Sequence, residues 1–328
     1  MKIFFIILGA ISAVILIAFV LASYYMYRLA CVRDKKFSTT VWENDEFYND
    51  FSKLYAKCGE DIVNKRAALR NAGHSDTAKR LSITSHDGLK LCARLIPHGG
   101  EFESPKGIVA FFHGYRSEPT RDFGTFAMDI RDMGFMLLMP DQRAHGGSEG
   151  RHITFGVNER LDAVKWCETL AEEYPGLPII LYGLSMGAST VLMASELKLP
   201  ENVCAVVADC GFTTPAAICE KVLKADLHLP KFPIYYGAEL LVRLLAGYSF
   251  NAASAVDAIR NTNLPVLVIH GENDKFVPHT MGLEISGTAD CDFLSVPQAG
   301  HGEAYLYNPD GYIEAFKRLA RRGGIADI

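Results

Sequence analysis

The chain opens on one long apolar run and then breaks into short apolar runs separated by amphipathic stretches. From Ile3 to Tyr27 no residue is charged, and only Ser12 and Ser23 carry aliphatic hydroxyls. Those 25 residues exceed the roughly 20 that a helix needs to cross a hydrocarbon core of about 30 Å. The run predicts a transmembrane anchor over residues 1–28, with Tyr24, Tyr25 and Tyr27 at the level of an interfacial aromatic belt. A cleaved signal peptide is the competing reading, but its apolar region of roughly 7–15 residues would be far shorter. Arg28-Leu29-Ala30-Cys31 also makes a poor lipoprotein box, because Arg28 stands where an aliphatic residue is wanted.

Residues 29–80 read as a juxtamembrane helical segment. Phe47, Phe51, Leu54, Cys58 and Ile62 recur at spacings of four and three, one face of an amphipathic helix. The other face carries Glu43, Asp45, Glu46 and Asp50, so docking on the domain behind it is expected rather than lying on the membrane.

From residue 81 the pattern alternates. Leu81–Ser85 and Leu89–Ile96 flank His86-Asp87-Gly88, a hairpin signal. Buried strands are predicted at Gly107–Phe112, Phe135–Pro140, Pro178–Leu184, Val203–Ala208 and Pro265–His270, with a weaker one at Asp292–Val296. Helical patterns lie between or after them, notably Val157–Tyr174, Met186–Leu197 and Tyr312–Arg321. Continuous Val/Ile/Leu strands alternating with helices predict an α/β fold, a mostly parallel sheet covered on both faces. Its strand carboxyl ends should line one edge, where ligands bind. Residues 213–263 are too many for one crossover helix. Cut by Pro215, Pro230 and Pro233 and rich in Leu, Tyr and Phe, they predict a short helical cap inserted into a domain spanning 81–328.

Charge and composition narrow the class. A net charge of −5, with no basic stripe in the body of the chain, argues against a nucleic-acid partner. Only Lys2 precedes the apolar run, whereas Arg28, Arg33, Lys35 and Lys36 follow it, so a single-pass protein of the cell membrane with its domain in the cytoplasm is expected. The eight cysteines are scattered, without a CxxC pair, and suggest neither a metal site nor a disulfide framework.

The chemistry concentrates at Gly183-Leu184-Ser185-Met186-Gly187, between a predicted strand and a predicted helix. That setting holds a serine on a strained turn with its hydroxyl lifted above the sheet, and Gly183 and Gly187 let the backbone pack closely around it. A serine hydroxyl needs a base, and in chain order an acid and then a histidine follow. His301, in the loop after the last strand, is the candidate base. Asp274, just past the strand ending at His270, is the candidate acid, and Asp209 at the end of the preceding strand is the alternative. An oxyanion would be met by the backbone N–H of Met186 and by that of Tyr115, in the loop His113-Gly114-Tyr115. His113 itself reads as a structural, hydrogen-bonded histidine.

These motifs resemble the α/β-hydrolase superfamily, in the branch of monoacylglycerol lipases, cinnamoyl esterases and serine-aminopeptidase-like hydrolases. The resemblance runs from about Leu81 to Arg321 and includes Asp141-Gln142-Arg143-Ala144-His145-Gly146-Gly147-Ser148-Glu149-Gly150, similar to the branch's D-x-R-x-x-G-x-S-x-G segment. It implies the α/β-hydrolase fold and makes this segment a structural loop beside the active site. Ala144 departs from the pattern, standing where glycine is frequent.

The expectation is a membrane-anchored serine hydrolase cleaving carboxylic esters of lipidic or aromatic acids through an acyl-enzyme, without metal or cofactor. A peptidase or thioesterase would use the same triad, and a membrane-tethered binding protein would keep the fold without turnover.

Overall fold

The computed structural model describes residues 1–33 and 59–328. The predicted face Phe47, Phe51, Leu54 and Cys58 lies outside the described residues. Helix α1 (Lys2–Cys31) is the one described helix long and apolar enough to cross a membrane. It runs past the expected boundary at residue 28 and ends against the folded domain, where Val32 forms an antiparallel bridge with His152. Tyr27 is correspondingly not part of an exposed belt. It is buried, its hydroxyl 2.7 Å from His152 Nε2, while Tyr24 and Tyr25 stay exposed.

Helix α2 (Glu60–His74) packs on the domain through buried Ile62 and Leu69, one turn-pair apart on the same face. Eight strands then form one sheet: β1 (Lys79–Thr84), β2 (Lys90–Ile96), β3 (Gly107–Phe112), β4 (Phe135–Pro140), β5 (Ile179–Leu184), β6 (Val203–Asp209), β7 (Val266–Gly271) and β8 (Asp292–Val296), in the spatial order β1-β2-β4-β3-β5-β6-β7-β8. β2 is antiparallel to both β1 and β4, and every other neighbouring pair is parallel. The sheet begins at Lys79, two residues ahead of the expected Leu81, because Lys79 and Arg80 continue the hairpin register opposite Leu95 and Arg94.

Connecting helices are α3 (Pro119–Phe123), α4 (Ala127–Asp132), α5 (Glu159–Glu173), α6 (Met186–Ala194), α7 (Pro215–Lys221), α8 (Ile234–Ala246), α9 (Ala255–Asn261), α10 (His279–Ser286), α11 (Ala304–Tyr307) and α12 (Pro309–Arg322). Side chains alternate across a strand, so each strand feeds two cores. From β3, Ile108, Ala110 and Phe112 enter the core under α5, α6, α9 and α10, whereas Val109 and Phe111 enter the one under α2, α4 and α12.

The segment between β6 and β7 divides by function. Helix α7 starts cleanly, with Pro215 in its first turn and the Thr214 hydroxyl accepting from the N–H of Ala217 at 3.0 Å. A π-helical turn, Val222–Asp226, leads on to α8. Helix α9, inside the expected cap boundary of 213–263, instead packs on α6 with Ala255, Val256, Ala258 and Ile259 buried. It is the crossover helix of the sheet between β6 and β7.

Candidate active site

Parallel strands place β5, β6, β7 and β8 with their carboxyl ends on one edge, and the predicted residues gather there. Ser185 follows β5 directly and caps α6 with φ 56° and ψ −116°, a conformation disfavoured for a side chain with a Cβ. Close packing holds it. A Cβ on Gly187 would lie 1.7 Å from the carbonyl oxygen of Phe112, and one on Gly183 would lie 2.1 Å from that of Gly187. The N–H of Ser185 also donates to Asp209 O at 2.8 Å, stitching the turn to β6.

Ser185 Oγ lies 2.9 Å from His301 Nε2, and His301 Nδ1 lies 2.7 Å from Asp274 Oδ2. With Nδ1 donating to the carboxylate, the Nε2 lone pair is left for the serine hydroxyl. Asp274 is anchored on its other side, where Oδ1 accepts the N–H of Phe276 at 2.9 Å and of Val277 at 2.8 Å. Burial works to raise this carboxyl, but hydrogen bonding from His270 and His301 overcomes it and holds Asp274 well below the usual carboxylate range. The ring of Phe276 meets His301 edge-on at 5.0 Å, fixing the imidazole from its open side.

Asp209, the alternative acid, makes no contact of this kind with His301. Its Oδ2 accepts from Tyr312 Oη at 2.7 Å, and burial pushes its carboxyl up to about 6. Sulfur of Cys210 lies among the ligand atoms of Asp274 and His301. Both His301 nitrogens are already engaged, so this trio has no imidazole lone pair to offer an ion, and burial lifts the Cys210 thiol far above its ordinary value.

The loop after β3 lies against the serine. A Cβ on Gly114 would be 3.3 Å from Ser185 Cβ. The N–H of Gly114 donates to Asp122 Oδ2 at 2.6 Å, and that of Arg116 donates to His145 Nε2 at 3.0 Å. The peptide of Tyr115 is therefore clamped from both neighbours. Met186 is the first residue of α6, where an N–H has no intrahelical acceptor. His113 is buried and structural: Nε2 accepts the N–H of Gln142 at 3.1 Å and Nδ1 meets Gly114 O at 2.9 Å.

The segment Asp141–Gly150 braces this loop. Arg143 is buried between Asp162, at 2.6 and 2.7 Å, and Asp87, at 2.9 and 3.2 Å. Burial opposes ionisation of Asp87, yet Arg143 and Ser85 hold its carboxyl down at about 2. Ala144 sits at φ 60°, the left-handed conformation that glycine adopts without cost. His145 is fixed as a neutral acceptor, its Nδ1 2.9 Å from Arg143 O, and burial beside His113 drives its pKa well below the ordinary histidine value. Sequence reasoning passed over His145 although it stands inside a quoted motif. Tyr312 had no local signal because its partner Asp209 is 103 residues away, whereas Asp122 and His270 meet theirs within eight residues through loop geometry that no motif announces.

Two chambers meet at Ser185. One is an apolar cavity of about 260 Å³ running under the cap, with Ser185 and Met186 at its base. The other is a polar opening of about 320 Å³ bordered by Ser117, Arg121, Asp122 and His301.

The family described as serine aminopeptidase, S33, matches residues 103–232. A stretch of 149 residues is 31% identical to the uncharacterized protein YqkD of Bacillus subtilis, covering 45% of this chain and 48% of that one. A stretch of 118 residues is 30% identical to monoglyceride lipase of Mus musculus, covering 35% of this chain and 37% of the lipase. These matches thus span half or less of the relatives' own length. An esterase of Pyrococcus furiosus superposes with a TM-score of 0.58 at 23% identity, over 75% of this chain and 91% of the esterase, a likeness of fold. The chain has the α/β-hydrolase fold, and over residues 103–232 it is similar to the serine aminopeptidase, S33, family. The matched segments are similar to parts of hydrolases named as esterase and lipase.

Proposed function

We propose that the protein is a membrane-anchored serine hydrolase that cleaves carboxylic esters of an apolar acid and a small polar alcohol. The observation that carries this reading is the run of contacts Ser185–His301–Asp274, at 2.9 and 2.7 Å, on the strained turn after β5. Ser185 Oγ attacks the acyl carbon as its proton passes to His301 Nε2, and Asp274 stabilises the imidazolium. The N–H groups of Met186 and Tyr115 bind the oxyanion. His301 then protonates the departing alcohol, and a water molecule repeats the cycle to free the acid. This chemistry calls for no metal or organic cofactor.

The two chambers support the substrate class, an apolar one for the acyl group and a polar one for the alcohol. Among the described residues lining the apolar cavity, Arg116 is the one charged side chain and none is a carboxylate that would receive a peptide's α-ammonium group, which favours an ester over an aminopeptidase substrate there. The names of the mouse lipase and the Pyrococcus esterase point the same way.

Anchoring is supported by the length and apolar character of α1 and by a second feature. Phe232, Tyr236, Leu240 and Leu244 form an exposed stripe at four-residue intervals on and just before α8, the helix packed against α1. The cations at Arg28 and Arg33 favour a domain on the cytoplasmic side.

The test is hydrolysis of a panel of acyl esters by the detergent-solubilised full chain. Wild type should turn over, while Ser185→Ala and His301→Ala should lose activity by several orders of magnitude. Wild-type rates in the Ser185→Ala protein would contradict the proposal.

A further inference from the structure

Helix α1 has two parts. Its first 17 residues, 2–18, are exposed, and from Ser23 onward it runs onto the domain, with Ser23, Tyr27 and Cys31 buried. It crosses α8 at Gly237, where a Cβ would lie 2.2 Å from Ser23 Oγ and 2.7 Å from Phe19 Cζ. A side chain at 237 would force Ser23 and Phe19 to shift.

The end of α1 is tied to the loop that faces Ser185. The last carbonyls of a helix lack intrahelical donors and must find others. Here Leu29 O accepts from Arg116 Nη2 at 2.8 Å, Ala30 O from Tyr115 Oη at 2.9 Å, and Val32 O from Arg116 Nη2 at 3.1 Å. Cys31 O accepts the N–H of Ile153 at 2.8 Å. Tyr115 and Arg116 thus join the helix end directly to the clamped loop.

The same turns close the apolar cavity. Met26 and Ala30, one turn apart on one face, line it together with Leu29, opposite Ile218, Leu223 and Ala238 of the cap segment. We propose that the last two turns of α1 are a specificity-determining part of the acyl site. The helix that carries the chain into the membrane is also the wall along which the substrate's acyl chain lies, and Met26 and Ala30 set how far that chain reaches. The ligand is a single acyl chain of a bilayer-resident ester, matched to a cavity of about 260 Å³, just below the roughly 300–1,000 Å³ of ordinary ligand pockets. This inference rests on the ester-hydrolase reading above.

The experiment measures kcat/KM of the full chain in detergent for p-nitrophenyl butyrate, octanoate, dodecanoate and hexadecanoate, with fluorophosphonate labelling of each variant as a check on the serine. Ala30→Phe fills the cavity and should lower the hexadecanoate-to-butyrate ratio by about tenfold or more, the scale on which apolar pockets discriminate chain length. Met26→Ala enlarges it and should shift preference toward longer chains. Ile17→Ala, on the exposed part of α1, should keep the wild-type profile. Labelled Ala30→Phe and Met26→Ala proteins with the wild-type chain-length profile would overturn the proposal. Should Ala30→Phe fail to label, Met26→Ala decides alone: a longer-chain optimum supports the wall and an unchanged one overturns it. A wild-type protein that neither labels nor cleaves any ester would instead overturn the hydrolase reading beneath it, and this inference with it.

Discussion

Tyr312 donates its hydroxyl to Asp209 Oδ2 at 2.7 Å, engaging the carboxylate at the end of β6 with the C-terminal helix α12. Asp274, one strand further along the sheet edge, is the carboxylate that meets His301. Two acids at neighbouring strand ends therefore have separate partners. In a serine protease, disabling the acid of the triad costs roughly 10⁴ in kcat. Asp274→Asn should fall by a comparable factor, nearly as far as His301→Ala. Asp209→Asn should keep most activity in an ester assay. The reverse ranking would move the acid to β6.

Asp209 should register in stability rather than turnover. Burial raises its carboxyl from 3.8 to about 6 against the hydrogen bond from Tyr312. A carboxyl that holds its proton more tightly when folded contributes stability that is complete below its unfolded pKa and lost as pH rises through the folded value. At about 1.4 kcal/mol per unit, the decline between roughly pH 4 and pH 6 is on the order of 3 kcal/mol. Asp209→Asn cannot ionise and should lack that decline. Urea denaturation of both proteins across this range checks it, and parallel pH dependences would contradict it. Asp274 behaves oppositely. Its depressed pKa gives a contribution present above the unfolded value and lost only in strong acid.

Much of the sheet was legible because β3 and β4 are uninterrupted apolar runs bounded by polar turns, and their ends coincide with the predicted ones, as do those of β8 despite its Asp292 and Ser295. Ser185, Asp274 and His301 were legible because each follows a strand closely enough for the parallel sheet to bring them to one edge. The docking of the end of α1 on the domain was not. An apolar run reads the same whether it faces lipid or protein, so the burial of Tyr27 and the contacts of Leu29 and Ala30 required partners about 85 or more residues away. The same is true of Tyr312, whose acceptor Asp209 lies 103 residues away.

The turn around Ser185 should tolerate no side chain at Gly187. Its Cβ would sit 1.7 Å from Phe112 O, backbone that cannot withdraw without shifting β3. Gly187→Ala should abolish or strongly reduce soluble folded protein, measured by yield and thermal unfolding in detergent. A folded, active Gly187→Ala enzyme would refute the close-packed elbow.

His145 should act through position. Its Nε2 accepts the N–H of Arg116 and so fixes the loop that presents the Tyr115 amide. His145→Ala should lower kcat by roughly tenfold to a hundredfold with KM little changed, less than the ~10²–10³ of deleting an oxyanion donor outright. An equal rise in KM with unchanged kcat would show that the loop serves binding alone.

Topology follows from the cations after the apolar run. Protease added to intact cells should leave the hydrolase domain uncut and cleave it after permeabilisation. Digestion in intact cells would place the domain outside.

The central claim is that Ser185 is activated by His301. The most direct measurement is labelling of the full chain with a fluorophosphonate, followed by peptide mapping of the adduct. The account predicts one adduct per chain on the peptide containing Ser185, absent in Ser185→Ala and formed far more slowly in His301→Ala. An unlabelled wild-type protein, or an adduct on any other residue, would contradict it.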